Sequence, residues 1–233
     1  MRFMRANGFV TGAALLTGLG LGGVALADAL TSPDSQAIDP SFDIRTAEVT
    51  ADAETLRFRM TVRGAAGARL PMPTGQLAGS EMLAYLWPTN FDSGIVGFPP
   101  RRGLLVLGLV SHPDLVETVG GKQLSSNWHP HWFVVSPGKS CGPFGLAMEE
   151  GPPATPGGLP VLTQVANLPF TIGNSQVEID VPRKLLGDPG RLRYDGMTAT
   201  LLVSATLSSP VVCLRVTDVA SGRLTLTGTV TQQ

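Results

Sequence analysis

The stretch ETLRFRMTVRG, residues 54–64, alternates apolar and polar side chains in the way that is typical of a half-buried β-strand. The apolar set is Leu56, Phe58, Met60 and Val62, and three arginines and a threonine lie between and after them. Side chains two residues apart point to the same face of a strand, so this stretch has one buried face and one solvent-exposed face. The preceding FDIRTAEVT, residues 42–50, alternates too, and the short ADAE between the two predicts a hairpin.

Further short stretches with strand character follow along the rest of the chain. They are residues 81–88, 103–111, 131–136, 144–149, 176–182, 197–208, 210–219 and 223–230. The 28 glycines and 19 prolines fall largely between them, and the nearest approach to a helix is the single turn at 182–188. The pattern predicts an all-β protein: a single antiparallel β-sandwich, jelly-roll-like, with roughly ten strands over residues 42–233.

The first 27 residues have the pattern of a secretory signal peptide. Arg2 and Arg5 precede an uncharged, glycine-rich apolar segment at 8–27, which ends in the small residues Ala25 and Ala27. Cleavage before Asp28 is predicted, with residues 28–41 as a flexible lead-in; an uncleaved anchor is the alternative. We therefore expect a periplasmic or secreted protein with no transmembrane segment in the mature chain, since no later apolar run is long enough to span a bilayer.

Composition narrows the range of partners. Charged residues make up 15% of the chain and the formal net charge is −1, so nothing favours binding to nucleic acid or to an anionic membrane surface. The two cysteines, Cys141 and Cys213, predict one disulfide in an oxidising compartment. Loop-closure entropy gives such a bond about 4 kcal/mol of stabilisation. The expected partner is a metal ion, a small glycan or another protein.

The opening DPSFDIRTAEVTADAETLRFRMTVRG, residues 39–64, resembles the first strands of the exported DOMON-like and family 9 carbohydrate-binding-module sandwiches. The shared features are an Asp-Ile pair that leads into a strand, a short turn and an amphipathic strand. The resemblance implies a sandwich that binds a sugar or a haem. Non-covalent haem binding through a Met-His pair is therefore an alternative, with Met60, Met72, Met82 and Met148 as the available methionines.

The three histidines of the chain all fall within 20 residues of one another. In NWHPHWFVV, residues 127–135, His129 and His131 share one face of the predicted strand and can converge on one ion. His112 lies upstream, and Asp114 would share its face as a fourth ligand or as an acceptor that orients a ring. The four residues predict a transition-metal site for zinc or copper, because imidazole suits both. Half-buried structural histidines are the alternative.

The aromatic residues around the histidines suggest a different kind of site. Trp128 and Trp132 share the other face of the same predicted strand, roughly 13 Å apart, which suits two successive sugar rings. Tyr85 and Trp87 alternate onto one face of a second strand and would extend that platform. A carbohydrate-binding or cell-surface interaction module is thus the second hypothesis. No phosphate loop, dinucleotide fingerprint or H-E-x-x-H motif is present. No general base is evident beside the histidines, so a binding protein is predicted, with a metal-assisted hydrolytic or hydratase activity as the alternative.

Overall fold

A computed structural model of the chain describes residues 29–76, 78–114, 118–119, 122–123, 128–142, 145–149, 163–186, 191–203 and 212–232. Almost all regular structure in these residues is β. The strands are β1 Leu30–Thr31, β2 Ile44–Ala51, β3 Thr55–Val62, β4 Glu81–Thr89, β5 Leu104–Ser111, β6 Thr118–Val119, β7 Lys122–Gln123, β8 His129–Pro137, β9 Leu146–Met148, β10 Thr163–Val165, β11 Phe170–Gly173, β12 Gln176–Pro182, β13 Arg193–Tyr194, β14 Met197–Val203, β15 Val212–Val219, β16 Gly228–Thr229 and β17 Thr231–Gln232. Single helical turns span Ser93–Val96, Lys139–Cys141 and Arg183–Leu186.

The hairpin predicted from the opening stretch is formed by β2 and β3 and lies at the centre of the first sheet. The order is β1-β2-β3-β12-β11, with β17 pairing in parallel with the end of β2. The arginines of β3 lie on the outer face, where Arg57 binds Asp180 of β12 at 2.9 Å. Arg59 binds Glu178 at 2.8 Å and Glu48 at 2.9 Å. The polar half of the alternation therefore forms a ladder of charge pairs across three strands.

The second sheet closes on itself. Strand β4 pairs with β5, β5 with β8, β8 with β9, β9 with β15, β15 with β14, and β14 again with β4. Each of these pairs is antiparallel, so the six strands form a barrel. Strands β13 and β10 extend the sheet beyond the ring, at β4 and β8 respectively.

Two apolar cores follow from this arrangement. The inner faces of all six barrel strands fill the barrel, with Leu86, Val106 and Phe133 among the buried residues. The outer faces of β4, β5 and β8 pack against the first sheet and form the second core, which includes Trp87, Leu107 and Trp132. Strands β4, β5 and β8 are consequently buried on both faces, which explains why their sequences lack the polar half of the alternation.

The structure confirms the prediction of an all-β protein with packed antiparallel sheets, but the second layer is a closed barrel and not a jelly roll. Jelly-roll sheets stay open, whereas here β14 pairs with β4 and closes the ring. Seventeen strands occur in the described residues, and many have only two or three residues. Of the predicted strand at 223–230 only Gly228–Thr229 is strand, and residues 204–208 of the predicted 197–208 strand lie outside the described part.

The predicted lead-in at 28–41 belongs to the folded domain from Leu30 onward, because β1 pairs with β2. Asp43 also accepts a hydrogen bond from the amide of Ser35, at 3.0 Å. The predicted signal peptide, residues 1–27, lies outside the described residues. The predicted disulfide is formed between Cys141 and Cys213 of β15, with 5.4 Å between the two Cα atoms. In the described part of the chain, no helix has the length and apolarity needed to cross a membrane.

Candidate metal site

The three histidines lie together at the end of the barrel where β5 finishes and β8 begins. His129 is the first residue of β8, and His131 follows on the same face. That face is the inner one, because Phe133 and Val135 continue it into the barrel core. His112 comes directly after Ser111, the last residue of β5, next to Val110 on the inner face. The pairing of Val110 with His129 joins the two strands at this level.

The imidazole rings contact one another edge to face or tilted. The ring centroids of His112 and His129 are 4.6 Å apart, those of His129 and His131 4.6 Å, and those of His112 and His131 5.3 Å. The Nε2 atoms of His112 and His131 lie 3.3 Å apart. One ligand nitrogen from each ring lies within 4.8 Å of the other two. The three side chains are therefore already gathered around a single point.

The surroundings of the cluster are buried and apolar on the barrel side. His112, His129 and His131 are 3%, 7% and 1% exposed. Gly108 lies opposite His131 in the β5–β8 pairing. A Cβ atom at Gly108 would lie only 2.7 Å from Cδ2 of Leu86 and 3.0 Å from Cε1 of Phe133, so these two side chains fill the space that a larger residue would need. Apolar packing thus closes the site toward the barrel interior.

Pro130 lies between the two histidines of β8. It is compatible with an internal strand because it lies at the end of the hydrogen-bond ladder between β8 and β10. The sequence predicts an edge or a bulge here, since proline cannot donate to a ladder. Strand β8 is instead flanked by β5 on one side and by β10 and β9 on the other. The Pro130 carbonyl accepts a hydrogen bond from Ala166, the residue directly after β10, so the missing N–H falls at the end of that ladder.

Asp114 does not join the histidines, which corrects the prediction of a fourth carboxylate ligand. The chain turns at Pro113 and Asp114 and does not continue as a strand, so residues 112 and 114 no longer share a face. The Asp114 carboxylate accepts hydrogen bonds from the backbone amides of Thr74 and Gly75, each at 2.9 Å, and from the Thr74 hydroxyl. The Thr74 amide, as the largest influence, lowers the pKa of Asp114.

The predicted aromatic platform is wrong, because all four side chains are packed inside the protein. Trp128 and Trp132 are 8% and 5% exposed, and Tyr85 and Trp87 are fully buried. Trp128 lies 5.0 Å from the Tyr85 ring and donates from Nε1 to the Gly67 carbonyl. These residues form the face that the first sheet covers, and no sugar ring can stack on an indole that other side chains already cover.

The methionines offered for haem binding are distributed over different parts of the fold. Met60 lies in the core between the two sheets, and Met72 is 81% exposed. Met82 and Met148 line the barrel interior, which is also the side that the histidines face. The alternation pattern does not predict which core Met82 faces, because β4 is apolar on both faces.

Chemically, the cluster offers three imidazole nitrogens as donors to a single ion. Nitrogens bound to one tetrahedral zinc ion at about 2.0–2.1 Å lie about 3.3 Å apart. The Nε2 atoms of His112 and His131 already have this separation. Within the described residues, the ligand group consists of these three histidines.

No family model matches the chain, and neither the curated proteins nor the solved structures yield a significant match. The fold and the site together define a class: a β-barrel, backed by a second sheet, with a buried three-histidine group at one end that could hold a metal ion.

Proposed function

We propose that this protein binds one transition-metal ion through His112, His129 and His131 and acts as an exported metal-binding protein. The convergence of three buried imidazoles, with one nitrogen of each within 4.8 Å of the others, carries the proposal. Zinc and copper are the candidate ions, since imidazole is a good ligand for both. Asp114 is not among the proposed ligands.

The burial of the three rings supports this proposal. His112, His129 and His131 are 3%, 7% and 1% exposed, and apolar side chains of the barrel core continue the inner face on which His129 and His131 lie. An ion bound to one nitrogen of each ring would therefore be shielded from bulk water, which favours retention of the metal.

Binding, and not catalysis, is the function that we propose for this ion. Metal-assisted hydrolysis needs an open position on the ion and a group that moves the proton of the attacking water. Among the described residues the ligand group contains no carboxylate, and Asp114 is held by the amides of Thr74 and Gly75. A metal held here would be stored or carried.

Export is part of the proposal, on the basis of the signal pattern in the first 27 residues and the disulfide between Cys141 and Cys213. When the full-length gene is expressed in a Gram-negative host, mass spectrometry of the periplasmic fraction should find Asp28 as the first residue. Recovery of intact Met1 in the membrane fraction would contradict cleavage and favour an anchored protein.

The metal proposal is tested by titrating chelator-treated protein with Zn²⁺ in competition with a chromophoric chelator. One equivalent of zinc should bind, and less than half an equivalent at micromolar metal would overturn the proposal for zinc. Copper must then be titrated in the same way before metal binding is abandoned. Excess metal should also raise the melting temperature, because an ion at 100 times its Kd stabilises the folded state by about 2.7 kcal/mol.

A variant in which His129 and His131 are both replaced by glutamine provides the matched control. Glutamine retains polar atoms and much of the side-chain volume, so the variant tests ligation with less disturbance of packing than alanine. The variant should bind no zinc, and zinc should not change its melting temperature. If zinc raises its melting temperature as much as that of the parent protein, the ion binds elsewhere and the proposed site is wrong.

A further inference from the structure

Strand β4 brings a fourth potential ligand beside the histidines, the thioether of Met82. Leu83 of β4 pairs with Ser111 of β5 in an antiparallel ladder. The next position along this register places Met82 opposite His112. Directly opposed residues of an antiparallel pair have Cβ atoms about 4.5–5.5 Å apart. His112 lies one residue beyond β5, so it is this continued register that brings Met82 next to His112.

Met82 also faces the interior that the histidines face. It is 5% exposed and belongs to the inner core of the barrel together with Ala84 and Leu86, the alternate residues of β4. Methionine has three rotatable bonds and a polarizable sulfur, so its side chain adapts to the position of a neighbouring group. Met148, the other barrel methionine near β8, pairs with Val135, four residues and roughly 13 Å along the strand from His131.

The charge of the site favours a monovalent ion. The three histidine ligands are neutral when they bind metal, a thioether is neutral as well, and the ligand group in the described residues contains no carboxylate. The cost of burying an ion grows with the square of its charge, so a divalent ion costs about four times as much as a monovalent ion of the same size. Soft thioether ligands together with imidazole select copper(I).

We infer that the ion is copper(I) and that Met82 completes its coordination beside His112, His129 and His131. This inference rests on the proposed function, since it assigns the metal and the fourth ligand of the same site. The neutral ligand set binds copper(I) without a counter-charge, and the apolar packing of Leu86 and Phe133 keeps water away on the barrel side. Zinc remains able to bind the three nitrogens.

The test compares the parent protein with Met82→Leu and with Met148→Leu as the matched control. Both methionines are buried in the same core, and exchange of methionine for leucine is among the best tolerated core substitutions. Copper(I) affinity is measured anaerobically by competition with bicinchoninate, and Zn²⁺ affinity is measured on the same samples. Met82→Leu should weaken copper(I) binding by about tenfold or more and leave zinc binding nearly unchanged, because only copper(I) uses the sulfur. Met148→Leu should behave like the parent for both ions.

X-ray absorption of the copper(I)-loaded parent gives an independent measure that does not depend on a variant folding. A sulfur neighbour of copper is expected, and it must come from a methionine because both cysteines are in the disulfide. A copper(I) spectrum with nitrogen neighbours alone, or equal copper(I) affinity in the parent and in Met82→Leu, overturns the role of Met82. If the parent binds zinc but not copper(I), the copper assignment fails and the three-histidine site stands. If it binds neither ion, the proposed function itself fails.

Discussion

The Nε2 atoms of His112 and His131 lie 3.3 Å apart, although 19 positions separate the two residues in the chain. At this distance two neutral rings share one hydrogen bond, or both nitrogens bind the same ion. A substitution of either histidine distinguishes the hydrogen-bonded pair from the metal-bound pair. Loss of a hydrogen bond between rings changes stability alone, whereas loss of a ligand nitrogen also changes metal affinity.

Replacement of His131 by alanine should lower the zinc affinity by more than about 100-fold, because only two nitrogen ligands remain and water competes for the ion. His129→Ala should have the same effect. The affinity is measured by chelator competition, with circular dichroism to confirm that each variant is folded. Asp114→Asn is the control and should bind zinc like the parent, since Asp114 is bonded to Thr74 and Gly75 and not to the site.

His112→Ala tests whether the third ligand is needed. If this variant binds zinc like the parent while the two β8 variants do not, the site is reduced to the His129–His131 pair. If all three single variants keep the parent affinity but are equally less stable with and without zinc, the histidines are structural and the metal proposal is wrong.

Metal affinity should fall as the pH is lowered. Each imidazole must lose its proton before it can bind an ion, so protons compete with the metal at all three ligands. We expect zinc affinity to fall steeply as the pH is lowered, because up to three protons are taken up together. Isothermal titration at several pH values measures this. Affinity that stays constant from neutral pH down to about pH 5 would show that the histidines do not bind the ion.

The hairpin of β2 and β3 is predictable because each strand has one buried face and one solvent-exposed face. This arrangement produces the alternation of apolar and polar residues in the sequence. Strands β4, β5 and β8 have no solvent-exposed face. Their sequences therefore predict buried strands but do not indicate which side chains face the barrel core and which face the core between the sheets. For this reason the alternation in the NWHPHW segment predicts an exposed face for its two tryptophans, whereas both faces of β8 are buried there. Closure of the barrel depends on β14 pairing with β4, more than 100 residues earlier, and no local pattern indicates it.

The candidate site was predictable where strand geometry alone decides it. His129 and His131 share a face because two residues separate them, and the structure keeps them on that face. The prediction that Asp114 is a ligand is wrong because it needs the strand to continue beyond His112, whereas the chain turns at Pro113. The position of Met82 beside His112 follows from the register of β4 and β5, which the sequence does not contain. The resemblance to DOMON-like and carbohydrate-binding sandwiches stays a prediction.

Asp114 should hold the segment around Thr74 in place. Its carboxylate accepts from the amides of Thr74 and Gly75, so Asp114→Asn, which weakens both bonds, should speed hydrogen exchange at these two amides. The Thr74 amide lowers the pKa of Asp114 below its ordinary value. The contribution of this group to stability is therefore present above the ordinary aspartate pKa and is lost as the pH falls through the lowered folded value.

Hydrogen exchange read by mass spectrometry checks this, with Asp34→Asn as the control. Asp34 also binds through its carboxylate, but to Arg45 of β2 and not to the segment around Thr74. Its substitution should leave the exchange of Thr74 and Gly75 unchanged. If Asp114→Asn leaves these two amides as protected as in the parent, the carboxylate does not hold the segment.

Tyr85 should make the folded state sensitive to high pH. Its hydroxyl donates to the Ser41 carbonyl at 2.8 Å and accepts from the Gly67 amide at 2.9 Å, inside the core between the sheets. Burial raises the pKa of Tyr85 to about 12. A raised folded pKa means that the stabilisation is fully present below the ordinary tyrosine pKa of about 10 and is lost as the pH rises through about 12.

The loss between these two pH values amounts to about 3 kcal/mol, since one pKa unit corresponds to about 1.4 kcal/mol. Tyr85→Phe should lower the free energy of unfolding near neutral pH by about 1–3 kcal/mol, because the Gly67 amide loses its buried acceptor. The variant should then lose less stability than the parent at high pH, so the free energies of unfolding of the two proteins, measured in urea, approach each other above about pH 10.

The chain has two tyrosines, so the difference in tyrosinate absorbance between parent and variant reports the titration of Tyr85 alone. Two results together would contradict the burial of Tyr85: a difference spectrum that titrates near pH 10, and a stability difference between parent and variant that does not change with pH. They would show that the hydroxyl is in contact with water and that Tyr85 does not pack closely against Phe42 and Trp128.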